Sequence, residues 1–235
     1  MKSKFIVLLV AIVLLAVVLE AKMSKKIRKS IVKQQNKFRS KVAKGKCANG
    51  TGTLPKAGNM YTLVYSKKLE KKAVKAAKLC SLNITGATVF VAIGTVKSAA
   101  LAKDATKNWA AELSGNITLP SLTYSAVNAS AYSNFTQLIW ASSKQIGCAS
   151  ATCANVTGSS ISGSATIFVC KYKNVGNVEG TVIYKKSKKP GKNCPRKARA
   201  NKKTGLCKKR KSKKNSSNSG SKERKSKKNS KSRGD

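Results

Sequence analysis

Glu112 and Asn134 are polar side chains in places where the hydrophobic pattern asks for core. Glu112 follows Leu101, Ala105 and Asn108 on one stripe of an alanine-rich helical pattern, with Trp109 beside it, so its carboxylate points to the core side. Asn134 sits in SNFTQLIW, residues 133–140, between a serine able to cap a helix and an apolar run; Asn134-Phe135-Thr136 is also an N-glycosylation triplet. A buried carboxylate near a polar cluster could serve general acid–base or metal chemistry, but both need partners. The chain has no histidine, and past residue 21 its only carboxylates are Glu70, Asp104, Glu112, Glu179, Glu223 and Asp235. Mechanisms built on His, or on a close carboxylate pair, therefore start with almost no material.

The seven cysteines are the next reactive set, and their meaning depends on the compartment. Lys2 and Lys4 precede an unbroken apolar run from Phe5 to Leu19, and Leu19-Glu20-Ala21 offers a small residue for cleavage. Fifteen apolar residues fall short of the roughly 20 that span a bilayer, so residues 1–21 read as a secretory signal peptide, with no membrane span after its removal; an uncleaved anchor is the alternative reading. In an extracellular protein Cys47, Cys80, Cys148, Cys153, Cys170, Cys194 and Cys207 are disulfide material, with one left over; no Cys-x-x-Cys is present.

Charge dominates the composition: 49 Lys and Arg against 7 acids, net +42. Residues 185–235 hold 23 of the basic residues against two acids, and residues 22–184 hold 24 against four, so body and tail are both strongly basic. Such a surface binds polyanions in a salt-dependent way. The tail cations Lys208, Lys209, Arg210, Lys211, Lys213 and Lys214 are the densest cluster, and no aromatic residue interleaves them for base stacking, which argues against sequence-specific nucleic-acid recognition. Glycosaminoglycan-like polymers and host cell surfaces are the expected partners.

Behind these residues the elements read as follows. Residues 23–44 carry apolar residues at three- and four-residue steps and form a helix; residues 45–58 are a Gly/Asn/Pro loop; Ser66 caps a helix running to Cys80; residues 88–96 are a strand or a buried connection; residues 98–113 are a helix. Ser133 is expected to cap a helix to about Ala141, followed by a hairpin of QIGCAS and ATIFVCKYK and a third short strand at residues 180–184. A basic, cysteine-containing extension fills residues 185–207, and residues 208–235 are a disordered Lys/Ser-rich tail ending Arg233-Gly234-Asp235, a tripeptide of the integrin type. Of the seven sequons, Asn49, Asn128 and Asn155 fall in loops and are the best glycan acceptors, while Asn134 is expected to face a cleft.

Three stretches in order carry a resemblance. QNKFRSKVAKG (35–45), NFTQLIW (134–140) and IFVCKYKNVGNVEG (167–180) resemble segments of the CAP superfamily of cysteine-rich secretory proteins, antigen 5 venom allergens and plant pathogenesis-related proteins; NWAAEL (108–113) resembles its Trp-x-x-Glu helix. The stretch ending TGLC resembles the extension of secreted nematode members. The resemblance implies an α+β fold, an α-β-α sandwich over residues 22–184 with a three-stranded antiparallel core sheet. It implies the pairs Cys148–Cys170, Cys80–Cys153 and Cys194–Cys207, with Cys47 free.

The resemblance also implies a cleft with two histidines and two glutamates that hold a divalent metal in some members. Here the positions carry Asn134, Glu112 and either Asn83 or Ile84, with no acid in Val89–Ile93. The expectation is thus a protein with no cofactor and no enzymatic activity, secreted, binding extracellular polyanions. A sterol or fatty-acid carrier is the alternative the resemblance supplies.

Overall fold

The computed structural model describes residues 20–21, 23–113, 118–128 and 130–210. Helix α1 (Lys25–Ala43) starts where the Ser24 hydroxyl accepts the Ile27 amide, and it buries Ile31, Gln35, Arg39 and Val42. Helix α2 (Lys67–Ala77) is capped by Ser66, whose side chain accepts from Leu69 N, and it buries only alanines. It stops three residues short of Cys80, which adopts φ +48°. Helix α3 (Ser98–Ala111) buries Leu101, Ala105 and Trp109, and the short α4 (Ser133–Ile139) buries nearly everything it carries.

The sheet contains β1 (Glu20–Ala21), β4 (Val64–Tyr65), β5 (Ala87–Ile93), β6 (Gln145–Cys153) and β7 (Ala165–Lys173). Its core is the antiparallel order β6–β7–β5, with β1 antiparallel and β4 parallel on the outer edge of β6. β1 consists of residues assigned to the leader by sequence. The third core strand is the β-branched 87–93 segment. Residues 180–184, expected to be that strand, make only a bridge between Thr123 and Val182. The reason lies in β7, whose outer edge takes seven residue pairs from β5, whereas Ile183 and Tyr184 of the 180–184 segment pack into a separate core with Met60 and Trp140.

Alternation along β7 sorts the layers. Ala165, Ile167 and Val169 meet the alanines of α2, while Phe168, Cys170 and Tyr172 meet α1, α3 and α4. Trp109 is fully buried on Phe168, ring centroids 6.2 Å apart. Cys148–Cys170 joins directly opposed residues of β6 and β7, Cα atoms 4.1 Å apart; Cys80–Cys153 ties the end of α2 to β6; Cys194–Cys207 closes the extension. These are the pairs the resemblance implies, and Cys47 stays free and buried, its thiol pushed up by desolvation.

On α2, Glu70 accepts a two-pronged ion pair from Arg28 at 2.6 and 2.7 Å and the Tyr65 hydroxyl at 2.5 Å, joining α2 to α1 and β4. Burial alone would push this carboxyl up, but Arg28 and Tyr65 together outweigh it and hold it below the usual range.

The extension is part of the domain, against the expected boundary at residue 184. Strands β2 (Ala48–Asn49) and β3 (Gly52–Thr53) form one small ribbon, and β8 (Ala198–Ala200) and β9 (Cys207–Lys209) another. Leu206 and Cys207 are buried, and Cys207 exchanges backbone hydrogen bonds with Met60 and Thr62. Lys208 and Lys209 thus stand on a paired strand rather than in a disordered tail, because the register of β9 carries two residues past the disulfide. Arg210 N donates to Lys197 O. Lys211, Lys213, Lys214 and the terminal Arg-Gly-Asp lie outside the described residues.

Candidate functional site

The site grows from the edge of the sheet. Among the described residues β5 pairs only with β7, so one side of its backbone would be open. At Val89 that side is closed twice: the Trp109 indole donates to Val89 O at 2.9 Å, and Val89 N donates to Asn134 Oδ1 at 3.1 Å. Asn134 in turn donates through Nδ2 to Glu112 Oε1 at 2.7 Å, and the other carboxylate oxygen accepts Phe135 N at 2.7 Å.

Glu112 therefore supplies the start of α4, where unpaired amides and the helix dipole favour an anion. Ser133, expected as the cap, is instead the first helical residue; the N-cap position is Tyr132, which makes no side-chain cap bond. Burial pushes the Glu112 carboxyl up, with the Asn134 and Phe135 hydrogen bonds opposing it and not cancelling it.

The rest of the SNFTQLIW segment binds the second signature. Thr136 Oγ1 donates to Asn177 Oδ1 at 2.8 Å, Asn177 Nδ2 donates to Ser133 O at 2.8 Å, and Gly176 N donates to Gln137 Oε1 at 2.7 Å. A Cβ on Gly176 would lie 2.5 Å from the Trp140 ring, so the two segments fit only with glycine at that point. Their joint presence in the sequence is a packing requirement.

A cleft of about 560 Å³ opens beside this network, with Asn83, Ile84 and Thr85 on one side and Ser133, Asn134 and Asn177 on the other. Asn83 and Asn134 thus line one cleft, and Glu112 stands behind Asn134. Asn83 is exposed on the rim. The donor set does not fit a metal: both Glu112 oxygens and both Asn134 amide atoms are already committed to protein partners, and amides are poor replacements for imidazoles. Among the described residues no group of three His, Cys, Asp or Glu converges.

Sequence reasoning missed Arg39. Fully buried, it faces no carboxylate among the described residues and donates to Tyr61 O at 2.7 Å, Leu138 O at 2.8 Å and Trp140 O at 2.9 Å, joining α1, α4 and the segment before β4. Its place in the QNKFR segment was the available signal.

The sequons also separate. Asn49 is a clamp, accepting Leu119 N at 2.7 Å and donating to Leu119 O at 3.3 Å, and this weakens its case as a glycan acceptor. Asn155 is exposed, and its side chain only accepts the Val156 amide. Asn128 closes a 3-10 turn, Ala126–Asn128.

A three-layer α-β-α sandwich whose signature residues tie one sheet edge to one helix start defines a class of disulfide-bonded extracellular-type domain. Residues 32–172 match the family model described as CAP, cysteine-rich secretory protein family. The chain belongs to that family. It is 30% identical over 170 residues to venom allergen 5.02 of Dolichovespula maculata, covering 68% of this chain and 76% of the relative, and 26% identical over 180 residues to venom allergen 5 of Vespula maculifrons, covering 69% and 81%. Among solved structures it is similar to NaASP2 with Zn2+ (TM-score 0.69, 28% identity, 79% of this chain and 97% of that one) and to BmVAL-1 (TM-score 0.66, 29% identity, 81% and 97%).

Proposed function

We propose that this is a secreted, non-catalytic CAP-domain protein that binds extracellular polyanions of the glycosaminoglycan kind through its basic C-terminal end. The carrying observation is that Lys208, Lys209 and Arg210 are exposed at the edge of a disulfide-anchored ribbon, and the charge run of Lys211, Lys213 and Lys214 continues from it. Anchoring lowers the ordering cost of the first contacts, and counterion release drives the rest. Extracellular placement is supported by the apolar leader-like segment, the three disulfides and the secretory family.

The test is retention on immobilised heparin, comparing the full chain with a variant carrying Gln at Lys208, Lys209, Arg210, Lys211, Lys213 and Lys214. Substitution is needed rather than truncation at residue 185, because Leu206 and Cys207 belong to the core. The full chain should elute at clearly higher salt than the variant; absent or salt-insensitive retention sinks the proposal.

One observation favours a second reading. A groove of about 660 Å³ lies between α1 and α3, its lining made of Phe38, Ala110 and lysines such as Lys37, Lys41 and Lys107, whose alkyl stems can cover an aliphatic chain while their ammonium groups meet a carboxylate. Saturable uptake of a fatty acid or sterol, in a protein that heparin does not retain, would replace the polyanion reading by the carrier one.

The non-catalytic part has its own test. Glu112→Gln keeps one acceptor and turns an amide N–H against a donor, so it should cost about 1–2 kcal/mol in stability. Heparin retention should not change, and neither should any hydrolytic background; loss of a turnover reaction in a still-folded variant would show Glu112 to be a chemical group.

A further inference from the structure

Helix α1 presents exposed lysines at every fourth position: Lys25, Lys29, Lys33, Lys37 and Lys41. Each step rises about 6 Å and turns about 40°, so the row crosses the exposed side of the helix obliquely over about 24 Å of its axis. At one end it meets a groove of about 760 Å³ beside β4, where Lys67 adds charge; at the other it meets the α1–α3 groove, where Lys103 and Lys107 do the same. Among the described residues the row is not neutralised. α1 contains no acid, and the ion pair nearest to it, Arg28–Glu70, lies off the row. Asp104, the acid of α3, is exposed but does not line the groove.

Local physics works against such a helix. Lysines four residues apart repel each other, and cations in the first turn oppose the helix dipole. α2, equally basic, carries Glu70 in its first turn. Solubility alone is met by mixing signs along a face, so an unmixed row needs an anion to complete it.

We propose that α1 is a polyanion-binding track in its own right, taking a linear sulfated polysaccharide across both grooves independently of the C-terminal cluster. The inference rests on the polyanion reading above and adds a second, folded site to it. Lysine is a compact point charge suited to sulfate and carboxylate groups spaced along a polymer on the scale of one helical turn. The row carries no aromatic residue and each groove contributes one, Phe38 or Tyr65, so no run of aromatics is offered for successive bases to stack on, which favours a polysaccharide over nucleic acid.

The test uses the full chain and two variants of equal charge loss. One carries Lys29→Gln, Lys33→Gln, Lys37→Gln and Lys41→Gln on α1; the control carries Lys68→Gln, Lys71→Gln, Lys72→Gln and Lys75→Gln on α2, exposed on the opposite layer. Gln matches Lys in helix propensity, and circular dichroism checks that both fold.

Affinity for a heparin oligosaccharide should fall about tenfold or more in the α1 variant, and its salt dependence should drop by about one unit per lost contact. The α2 control should lose less than about threefold on the same counterion-release basis. Equal losses in the two variants would mean that net charge, not the track, binds. Full affinity in the α1 variant, with binding lost in the C-terminal one, overturns the track and leaves the function proposed above standing; no binding by the unmodified chain removes both. Duplex DNA binding as tightly as heparin, with the same loss on α1, overturns the choice of polysaccharide.

Discussion

Arg39→Met is expected to destabilise the domain by about 4 kcal/mol or more, a larger effect than removing any other single polar side chain of the core. The size follows from what the guanidinium leaves behind. The carbonyls of Tyr61, Leu138 and Trp140 each accept a bond of 2.7 to 2.9 Å from it, and Ser143 and Ala141 carbonyls lie at 3.4 and 3.5 Å. A methionine of similar length fills the space and satisfies none of them; Trp140 O keeps the Ser143 amide, but Tyr61 O and Leu138 O are stripped of this donor, at about 1–3 kcal/mol each.

Among the described residues no carboxylate balances the charge. Burial pushes the guanidinium down to about 9, so it remains protonated at neutral pH and is held by carbonyl dipoles alone. Arg39→Lys should recover only part of the loss, since an ammonium cannot reach three separated acceptors as a planar fork does. Urea unfolding with the disulfides intact measures this directly. A Met variant within about 1 kcal/mol of the unmodified protein would refute the view that Arg39 holds α1, α4 and the 61–63 segment together.

Gly147→Ala is expected to cost about 3 kcal/mol, the upper range of overpacking. Gly147 lies in β6 where α2 crosses it, and a Cβ there would lie 2.5 Å from the Leu69 carbonyl carbon and 2.6 Å from Ser66 O, and closer still to Glu70 N. The obstacle is helix backbone, which cannot rotate aside as a side-chain tip can. Moving α2 away would also pull Glu70 from Arg28 and Tyr65. Gly163→Ala is the comparison: it sits at φ +82° with open space around it, so it should cost only the conformational term, about 1 kcal/mol. Thermal melts of the two variants at one scan rate decide the matter; equal melting temperatures would mean that α2 does not pack on β6 this closely.

Much of the fold was legible because it depends on local pattern. Ser24 and Ser66 sit at helix starts, the inward stripe of α1 repeats at the helical period, and the hairpin strands alternate between two faces. Segments 134–140 and 167–180 were legible for a different reason. Thr136, Gln137, Trp140, Gly176 and Asn177 contact one another, so neither segment can vary alone.

The misreadings share a cause: each depended on a partner distant in sequence. Ser133 has the chemistry of a cap, but Glu112 occupies that role from 21 residues upstream, and a carboxylate outcompetes a hydroxyl for helix-start amides. Residues 180–184 have strand composition, yet β5 already fills the free edge of β7. The extension looked like a separate basic segment because lysines outnumber its few apolar residues. Leu206 and Cys207 are buried, and backbone hydrogen bonds from Ser187, Gly191, Asn193 and Cys207 to residues 56–60 dock it.

By itself, then, the sequence determined the class of fold, the helical and strand periods, the absence of histidine and the unequal balance of charge, all of which are properties of composition and local spacing. Tertiary structure decided what Asn134, Glu112 and Arg39 do. An amide, a carboxylate or a guanidinium has no role until the fold decides which backbone groups it must satisfy. Here those groups are the open edge of β5, the start of α4 and a ring of buried carbonyls.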